Sequence, residues 1–474
     1  MNPEQSRRQT IRIIVSEAFM VVAVIITVIV LALLVSGYWL NSNFEIERNG
    51  MLQISSIPTG ANVEIDNQSS SWLERTNSSK ILASGPHTVR LTKDGYDSWS
   101  KDINIAEGLL YRLHYPRLFL QKRQLETVMD TSKYTSASVS SDHNAILLIN
   151  NTSEWGYLDL DTDSPSLRSI DISSVFSSVS LAENAKVGLF AGEIMSVNWD
   201  YDASHVLIHS RNGDASEWVL LDVKNVAKSI NLTKEFGVDF SHVEIIDNNS
   251  NTLLVVQNHN LHKIDVPGRL VSAVLVKNII DFDHYNNEIV FSARHDSVEP
   301  SQNIDKEYYI GYYKLGDREI SSLEQLDAPA QVAIGKFYDS KYIATLIDTT
   351  IVVHQKDDYQ GETIAYELSF IPDTVTVGHD GEFLLLTKEH TLATLDFEST
   401  SIREWPIEGE FDWLDNDMLY AIRDGNLVVY DYDGLNRREL ASNALGSFPV
   451  TITNDRWLYY FRDNHLVREW LIVK

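Results

Sequence analysis

The sequence contains no cysteine among its 474 residues. This absence excludes structural disulfides, metal sites built on thiolates and every mechanism that depends on a cysteine nucleophile. Long hydrophobic runs are also scarce, since only one stretch is uniformly apolar over the length of a membrane-spanning helix. Any further stabilisation of the fold must therefore come from packing rather than from covalent cross-links.

Basic residues are few compared with acidic ones. Lys and Arg total 39 and Asp and Glu total 67, so the formal net charge is −28. A surface of this sign repels phosphate backbones and disfavours tight docking on anionic bilayers, which predicts that nucleic acid is not a partner. The acidic excess attracts cations or basic partners, although solubility is its simplest explanation.

The motifs of several enzyme classes are missing as well. The sequence has no G-x-S-x-G elbow, no H-E-x-x-H, no P-loop, no dinucleotide glycine pattern and no S-x-D-x-G-x-T-W turn. We therefore expect no catalytic residue, no cofactor and no metal site, and we predict a protein that is not an enzyme.

The single apolar run covers residues 18–40, AFMVVAVIITVIVLALLVSGYWL, without one charge. A helix of this length extends about 35 Å and can cross a hydrocarbon core of about 30 Å. A cleaved signal peptide and a buried core helix are the alternatives. We predict a cytoplasmic N-terminus (1–17), a transmembrane helix (18–40) and a linker (41–49).

Arginines precede this run, at Arg7, Arg8 and Arg12, and therefore predict that the N-terminus is cytoplasmic and the C-terminal domains are extracellular. A large exported region without cysteine is typical of prokaryotes, because eukaryotic secretory proteins commonly carry disulfides. The expected location is the cell membrane, crossed once.

Short alternating strands and turns follow in residues 50–121. Leu52, Ile54 and Ile57 are candidate inward positions, and the pair Asp94-Gly95 predicts a hairpin turn. The order of motifs resembles the PEGA domain, a small β-sandwich-like module of prokaryotic surface proteins. The residues that carry the resemblance are Pro58, Gly60, Ala61, Val63, Ile65, Asp66, Gly85, His87, Val89, Leu91, Gly95, Tyr96 and Trp99. The segment ERTNSSKILASG departs from the family pattern in the central loop.

The resemblance implies an envelope module that packs against or presents a neighbour, with no reaction of its own. Glycines in such motifs allow positive φ in tight turns, and we expect Tyr96 and Trp99 to fill a small core. His87 has no second ligand at metal-binding spacing, so we interpret it as structural.

A recurring unit of about 44 residues fills residues 122–474. Each unit contains a short alternating strand, a polar turn, a strongly apolar strand and a further strand that ends near an acidic residue. Eight units at this length predict a β-propeller of eight blades, or of seven. The last unit shows only three strands, and QLETVMDTS after Arg123 can supply the fourth and close the ring. Two stacked smaller β domains are the rival architecture.

The units resemble TolB-like and WD-type propeller repeats. The turn Asp431-Tyr432-Asp433-Gly434 and the segment that follows it are close to the outer hairpin of TolB-like repeats. The fold class is therefore mainly β: one transmembrane helix, a PEGA-like domain and a propeller.

Several polar residues are candidates for chemistry, and each has a simpler structural explanation. Two acidic runs resemble calcium loops but lack the required glycine or final ligand. The histidine pairs have no evident third residue that could complete a metal site. Two tryptophans are better explained by packing inside the repeats than by stacking on a sugar. The N-x-S/T triplets are better explained as polar turns than as glycosylation sites. These residues are Asp159, Asp161 and Asp163; Asp412, Asp415 and Asp417; His143 beside Asp142, His205 with His209 and His259 with His262; Trp155 and Trp218; and Asn67, Asn77, Asn151 and Asn231.

The predicted function is that of a membrane-anchored cell-surface protein whose propeller binds a protein or an envelope polysaccharide. Propellers bind ligands through loops on a rigid ring, but the fold does not determine which ligand is bound. A propeller hydrolase or lyase that acts on envelope carbohydrate is the main alternative and requires two carboxylates in one concave pocket. A structural role in a larger membrane assembly is a third hypothesis.

Overall fold

A computed structural model divides the chain into two compact units, Met1–Lys122 and Arg123–Lys474. The residues described are 17, 19–32, 38–40, 46–69, 75–177, 180–182, 189–246, 250–295, 306–317, 320–359, 363–378 and 380–472.

The first unit begins with a helix over residues 19–32. The predicted span of 18–40 is too long at its far end, because Tyr38–Leu40 is a strand that pairs antiparallel with Ile46–Arg48. The predicted linker is therefore partly a strand, and Ala18 and residues 33–37 lie outside the described residues. Within the described ranges, no helix combines the length and the apolar character needed to cross a bilayer.

Two small sheets make up the rest of this unit. One sheet has the order Ser78–Leu82, Gly50–Ile54, Leu110–Leu113, and the other has the order Gln68–Ser69, Asn62–Ile65, Gly85–Thr92, Trp99–Ile105. Their inward side chains alternate along the strands, as in Trp99–Ile105, where every second residue is buried. The segment that departs from the family pattern contributes Ser78–Leu82, an edge strand paired with Gly50–Ile54.

The second unit consists of eight four-stranded antiparallel sheets, which we number as blades 1 to 8, with strands A to D in each. Blades 1 to 7 each take their strands consecutively from the chain. Blade 1 is Ser136–Val139, Ala145–Ile149, Glu154–Asp159, Ser166–Asp171; blade 2 is Glu193–Trp199, His205–Asn212, Ala215–Asp222, Ile230–Asn231; blade 3 is His242–Ile245, Thr252–Gln257, Asn260–Asp265, Leu270–Val271; blade 4 is Ile279–Tyr285, Glu288–Arg294, Tyr308–Lys314, Ser321–Leu326; blade 5 is Gln331–Phe337, Ser340–Ile347, Thr350–Gln355, Thr363–Glu367; blade 6 is Thr374–Val377, Phe383–Lys388, Thr391–Asp396, Ser401–Pro406; blade 7 is Glu410–Trp413, Met418–Arg423, Asn426–Asp431, Arg438–Ala441.

Blade 8 combines the two ends of the propeller sequence. Its strands A to C are Thr451–Thr453, Trp457–Arg462 and His465–Trp470, and its strand D is Leu125–Asp130, which pairs antiparallel with strand C. The prediction that QLETVMDTS supplies the missing strand is therefore confirmed. Arg123 Nε donates to Glu469 Oε2 at 2.7 Å beside this junction.

Apolar clusters join consecutive blades face to face. Described clusters lie between blades 1 and 2, 2 and 3, 3 and 4, 4 and 5, 5 and 6, and 6 and 7. A further cluster packs Leu148 and Leu158 of blade 1 against Tyr459 and Phe461 of blade 8, so the array closes on itself. The second unit is a ring of eight blades rather than two stacked domains.

Strand B lies between neighbouring blades, which explains its apolar sequence. All five residues of Ala145–Ile149 are buried, as are the first four of Phe383–Lys388. A strand covered on both faces loses polar alternation and becomes a continuous hydrophobic run. The described elements outside the blades are the paired strands Leu181–Ala182 and Leu189–Phe190, the 3-10 turns Val226–Lys228 and Lys356–Asp358, and the helix Leu232–Phe236.

Candidate functional site

The strands A form the inner wall of the ring and carry half-exposed side chains. All four residues of Ser136–Val139 and most of Ile279–Tyr285 are half-buried, in contrast to the buried strands B. Because this wall faces the channel, polar residues on strands A lie where a ligand can reach them.

A histidine–carboxylate cluster occupies the wall of blades 3 and 4. We define it as His242, Glu244, Asp281, Asp283 and His284. Glu244 is its centre: the Nε2 atom of His242 lies 3.6 Å from Oε2, and that of His284 lies 3.4 Å from Oε1. The Glu244 side chain is 32% exposed, so water reaches it from the channel.

The cluster separates the pKa values of its two central carboxyls. Burial raises the pKa of Glu244, but the nearby imidazoles of His242 and His284 outweigh this effect and lower the pKa to about 2. Burial and the neighbouring charge of Glu244 raise the pKa of Asp283 to about 7. Burial lowers the pKa of His284, and Glu244 reverses this effect and raises it. Glu244 is therefore ionised at neutral pH, whereas Asp283 is only partly ionised there.

Asp281 and Asp283 also have a structural role. Their side chains point toward blade 5, where one oxygen of Asp281 accepts from the Val332 amide and one oxygen of Asp283 accepts from the Ile334 amide, each at 2.8 Å. The innermost strand of a blade has an unpaired edge, and these carboxylates satisfy two of its donors. In the described part of the chain, no group of three or more His, Asp or Glu side chains is arranged to hold a metal ion.

A pocket of about 320 Å³ opens on the opposite side of the channel, where blades 7, 8, 1 and 2 meet. We call it the channel pocket. Its lining residues are Ala137, Ser138, Val139, Ser140, Ser141, His143, Val197, Asp412, Trp413, Asp415, Asn416, Tyr420, Pro449 and Val450. None of these described lining residues is lysine or arginine, so the wall carries negative but no permanent positive side-chain charge.

Asp412 and Asp415 differ in their surroundings. Asp415 Oδ1 accepts from the backbone amides of Asp417 and Met418, which makes it part of a tight turn. Asp412 Oδ1 accepts from the Trp413 amide at 2.8 Å. Although Asp412 keeps an exposed surface, the protein packed around it raises the pKa of its carboxyl above the usual range.

A second depression of about 360 Å³ lies between blades 4, 5 and 6. Ile280 and Ile371 on its rim are 46% and 50% exposed. Prolines and the carboxylates Asp281 and Asp348 contribute to its lining. Ala330, Gln331 and Leu346 also line it, so its wall is a mixture of apolar and polar side chains.

The motif residues of the first unit lie in its core and its turns. Tyr96 and Trp99 are buried, and Gly60, Gly85 and Gly95 have positive φ. The remaining motif positions form the same turns and core: Ala61 is buried, and Pro58 precedes the first glycine turn. Asp66, at positive φ, binds His87 Nδ1 at 2.7 Å, and the other ring nitrogen of His87 contacts the Ala83 carbonyl.

The comparison with protein families agrees with the position of these motifs. The family model described as "PEGA domain" matches residues 49–117. That segment is similar to a PEGA domain. No curated protein matches the chain in sequence.

The solved structures similar to the chain include propellers with very different sequences. AztD from Citrobacter koseri has 11% identity and a TM-score of 0.40 over 81% of this chain and 95% of its own. The C-terminal WD40 domain of Sif2 has 10% identity and a TM-score of 0.44 over 74% and 99%. An oligogalacturonate lyase in complex with manganese has 13% identity and a TM-score of 0.37 over 58% and 88%. At these values the likeness says nothing about function.

The two histidines of strand His205–Asn212 make different contacts. His205 Nδ1 lies 2.9 Å from Asp200 Oδ2 and from the hydroxyls of Ser204 and Ser250. The Nε2 atom of His205 lies 3.7 Å from Asp222 Oδ2. Asp200 and Ser204 belong to the turn between strands A and B of blade 2, where Asp200 also accepts from the amides of Ser204 and His205, so we interpret these contacts as a turn network. His209 instead stacks on Trp218 at 4.2 Å.

The other candidates also have structural partners. Trp155 and Trp218 are buried in the blade cores, as predicted. Asn231 is the N-cap of the helix Leu232–Phe236, and its side chain accepts from the Lys234 amide. The remaining candidates either lie in turns or have a partner within the protein. Asn67, Asn77 and His259 are turn residues with positive φ. His143 binds Thr451 Oγ1, Asp159 accepts from the Asp161 amide, Arg468 donates to the Asp163 carbonyl, and His262 contacts the Ser272 carbonyl.

The sequence analysis missed the histidine–carboxylate cluster. Its carboxylates and His242 are spaced two apart on strands A, in HVE and DFD, and His284 directly follows Asp283. The alternation of polar residues along an inner strand is the signal that could have revealed the cluster. Asp412 was considered only as a calcium ligand.

Proposed function

We propose that this chain is a non-enzymatic, membrane-anchored cell-surface protein whose propeller binds a partner at its channel. The observation that carries the proposal is the channel pocket, in which blades 1 and 7 bring polar and aromatic side chains together on a rigid ring and blades 2 and 8 add apolar ones. Ligand sites in proteins are typically concave, with a few polar groups that fix orientation. The PEGA-like segment serves as a module between the anchor and the ring.

Membrane anchoring is supported by the composition of the N-terminal segment. Residues 18–40 carry no charge and follow three arginines. Along the described helix, large apolar side chains from Phe19 to Leu31 are exposed by about half or more. Water penalises such a surface, whereas the interior of a bilayer does not. This supports an N-terminus in the cytoplasm and a propeller outside the cell.

A TolB-like type is supported by the hairpin of blade 7. Asp431 accepts from Asn436 Nδ2 at 2.8 Å, and Gly434 follows at a φ of 76°. These contacts hold the outer turn whose sequence resembles TolB-like repeats.

A second candidate function, a hydrolase or lyase for envelope carbohydrate, is favoured by one observation. Glu244 and Asp283 lie on adjacent strands of the channel wall, and their environments push their pKa values to about 2 and about 7. Two carboxyls of different acidity are what acid–base catalysis on a glycosidic bond uses. Against it, Asp283 is engaged with the Ile334 amide.

One experiment distinguishes the two functions. The full chain in neutral detergent is immobilised and incubated with solubilised envelope protein and with envelope polysaccharide. Binding predicts retention of a component without new reducing ends or unsaturated sugar products, whereas hydrolysis or elimination predicts such products and their loss in Glu244→Gln and Asp283→Asn. Products without retention would refute the binding proposal. For the anchor, we expect the chain to remain in membranes after alkaline carbonate extraction, and its release would refute anchoring.

A further inference from the structure

The channel pocket is small, which limits what it can hold. Its volume of about 320 Å³ is near the lower end of the range of about 300–1,000 Å³ for ligand sites. A pocket of this size holds one side chain or one small molecule. It does not hold a polymer segment with several residues.

The charge of its wall selects the sign of the ligand. The lining carries the carboxyls of Asp412 and Asp415, and none of the described lining residues is lysine or arginine. Anionic groups entering this pocket would be repelled by two carboxylates in a region where solvent screening is reduced. A cationic group would be attracted.

Asp412 lacks a cationic partner in the described chain, unlike two more deeply buried carboxylates of the propeller. Glu288 pairs with Lys341 at 2.5 Å and Glu469 with Arg123 at 2.7 Å. Among the described contacts of Asp412, the hydrogen bond to Oδ1 comes from the backbone amide of Trp413. A ligand that brings a positive charge can form a charge-assisted hydrogen bond with this carboxylate.

Neighbouring groups complete the recognition of an ammonium ion. Trp413 and Tyr420 line the same pocket, and an aromatic ring attracts a cation through its π face. Asn416 donates to Asp380 through Nδ2, whereas its Oδ1 has no hydrogen-bond partner in the described structure and is a second acceptor. A primary ammonium supplies three donors, enough for both Asp412 and Asn416.

We infer that the channel pocket binds a primary alkylammonium group, with Asp412 as its counter-ion, Asn416 as a second acceptor and Trp413 as an aromatic wall. This inference rests on the proposed function and gives it a ligand class. The primary ammonium group can come from a lysine side chain of a partner protein or from a free alkylamine. Binding of a lysine peptide and of a small amine distinguishes these two ligands.

Calorimetry on the full chain in neutral detergent tests the inference. The probes are n-butylammonium and a capped Gly-Gly-Lys-Gly-Gly peptide, and the matched neutral probes are 1-butanol and the same peptide with glutamine. We expect binding of the cationic probes to be at least about tenfold tighter than that of the neutral ones, since a charge-assisted hydrogen bond contributes this much. Tighter binding of the peptide indicates a protein source, and tighter binding of butylammonium indicates a free amine.

Variants assign the effect to Asp412. Asp412→Asn should lose the preference for cations, Asp412→Glu should retain it within a few-fold, and Asp424→Asn serves as the control because Asp424 lies on the same blade with an 86% exposed side chain. Circular dichroism and the thermal midpoint check that each variant folds. If Asp412→Asn misfolds, the comparison of charged and neutral probes on the unmodified chain still decides the matter.

The outcomes for the two proposals are separable. Equal binding of cationic and neutral probes, or an unchanged preference in a folded Asp412→Asn protein, overturns the inference even if an envelope partner is retained. Binding of cationic probes that depends on Asp412 supports the inference even if the pull-down yields no macromolecule.

Discussion

Replacing Asp283 with asparagine should make the stability of the propeller less dependent on pH. The carboxyl of Asp283 has a pKa of about 7 in the folded chain, against 3.8 for the ordinary group. Between these values unfolding releases a proton, so the stability of the unmodified chain falls as pH rises and the loss is complete above pH 7. Asparagine does not ionise, and its Oδ1 can still accept from the Ile334 amide.

The size of this change in the free energy of unfolding depends on the pH range over which it can be measured. Over the whole window a shift of about three pKa units corresponds to about 4 kcal/mol. The sequence pI is about 4.8, so the lowest practical pH is about 5.5. From there to pH 8 the loss is at most about 2 kcal/mol, and partial solvent access reduces it to about 1 kcal/mol. The free energy of unfolding of Asp283→Asn, measured relative to that of the unmodified chain, should therefore rise by about 1–2 kcal/mol as pH increases from 5.5 to 8.

Urea unfolding of the full chain in neutral detergent, followed by tryptophan fluorescence, measures this difference at pH 5.5, 6.5, 7.25 and 8. The control Asp424→Asn removes an exposed carboxyl and should follow the pH dependence of the unmodified chain. A stability difference between Asp283→Asn and the unmodified chain that stays constant across this range would refute the assignment of the raised pKa.

Three further predictions concern the fold. Glu469→Gln should lower the free energy of unfolding by about 3 kcal/mol, because it breaks a largely buried ion pair with Arg123 at the ring closure; a thermal midpoint equal to that of the unmodified chain would contradict this. Gly335→Ala should lower the free energy of unfolding, measured with urea, by about 1–3 kcal/mol, because the new Cβ would lie 2.0 Å from a ring carbon of Phe397. Adding Phe397→Leu to this variant should restore part of the lost stability. Trp155→Ala should cost about 3–5 kcal/mol, measured in the same way, because the ring is buried between blades 1 and 2; a small cost would mean that the site collapses around the cavity.

Much of the fold was predictable because propeller blades are local structures. Strand B of each blade contains an apolar, buried stretch, and the turns between strands carry Asn, Asp and Gly at positive φ. These signals repeat eight times, so the number of blades and the closing strand at Leu125–Asp130 could be inferred. The end of the N-terminal helix could not, since Tyr38–Leu40 is apolar enough for a helix but pairs with Ile46–Arg48 as a strand.

The candidate sites were much less predictable. Glu244 owes its low pKa to His242 on its own strand and to His284 on the next blade, and a sequence pattern reveals only the first of these neighbours. The channel pocket brings His143 of the first blade beside Asp412 of the seventh. No spacing rule links residues so far apart in the chain.

The sequence by itself determined the apolar N-terminal run, the PEGA-like segment and the repeat of four strands, because each depends on periodicity and turn chemistry over short distances. Only the tertiary structure decided which polar side chains meet in the channel. Ring closure brings the strands A of distant blades around one axis, and the electrostatic environment of each carboxyl is then set by neighbours from other blades rather than by its own sequence.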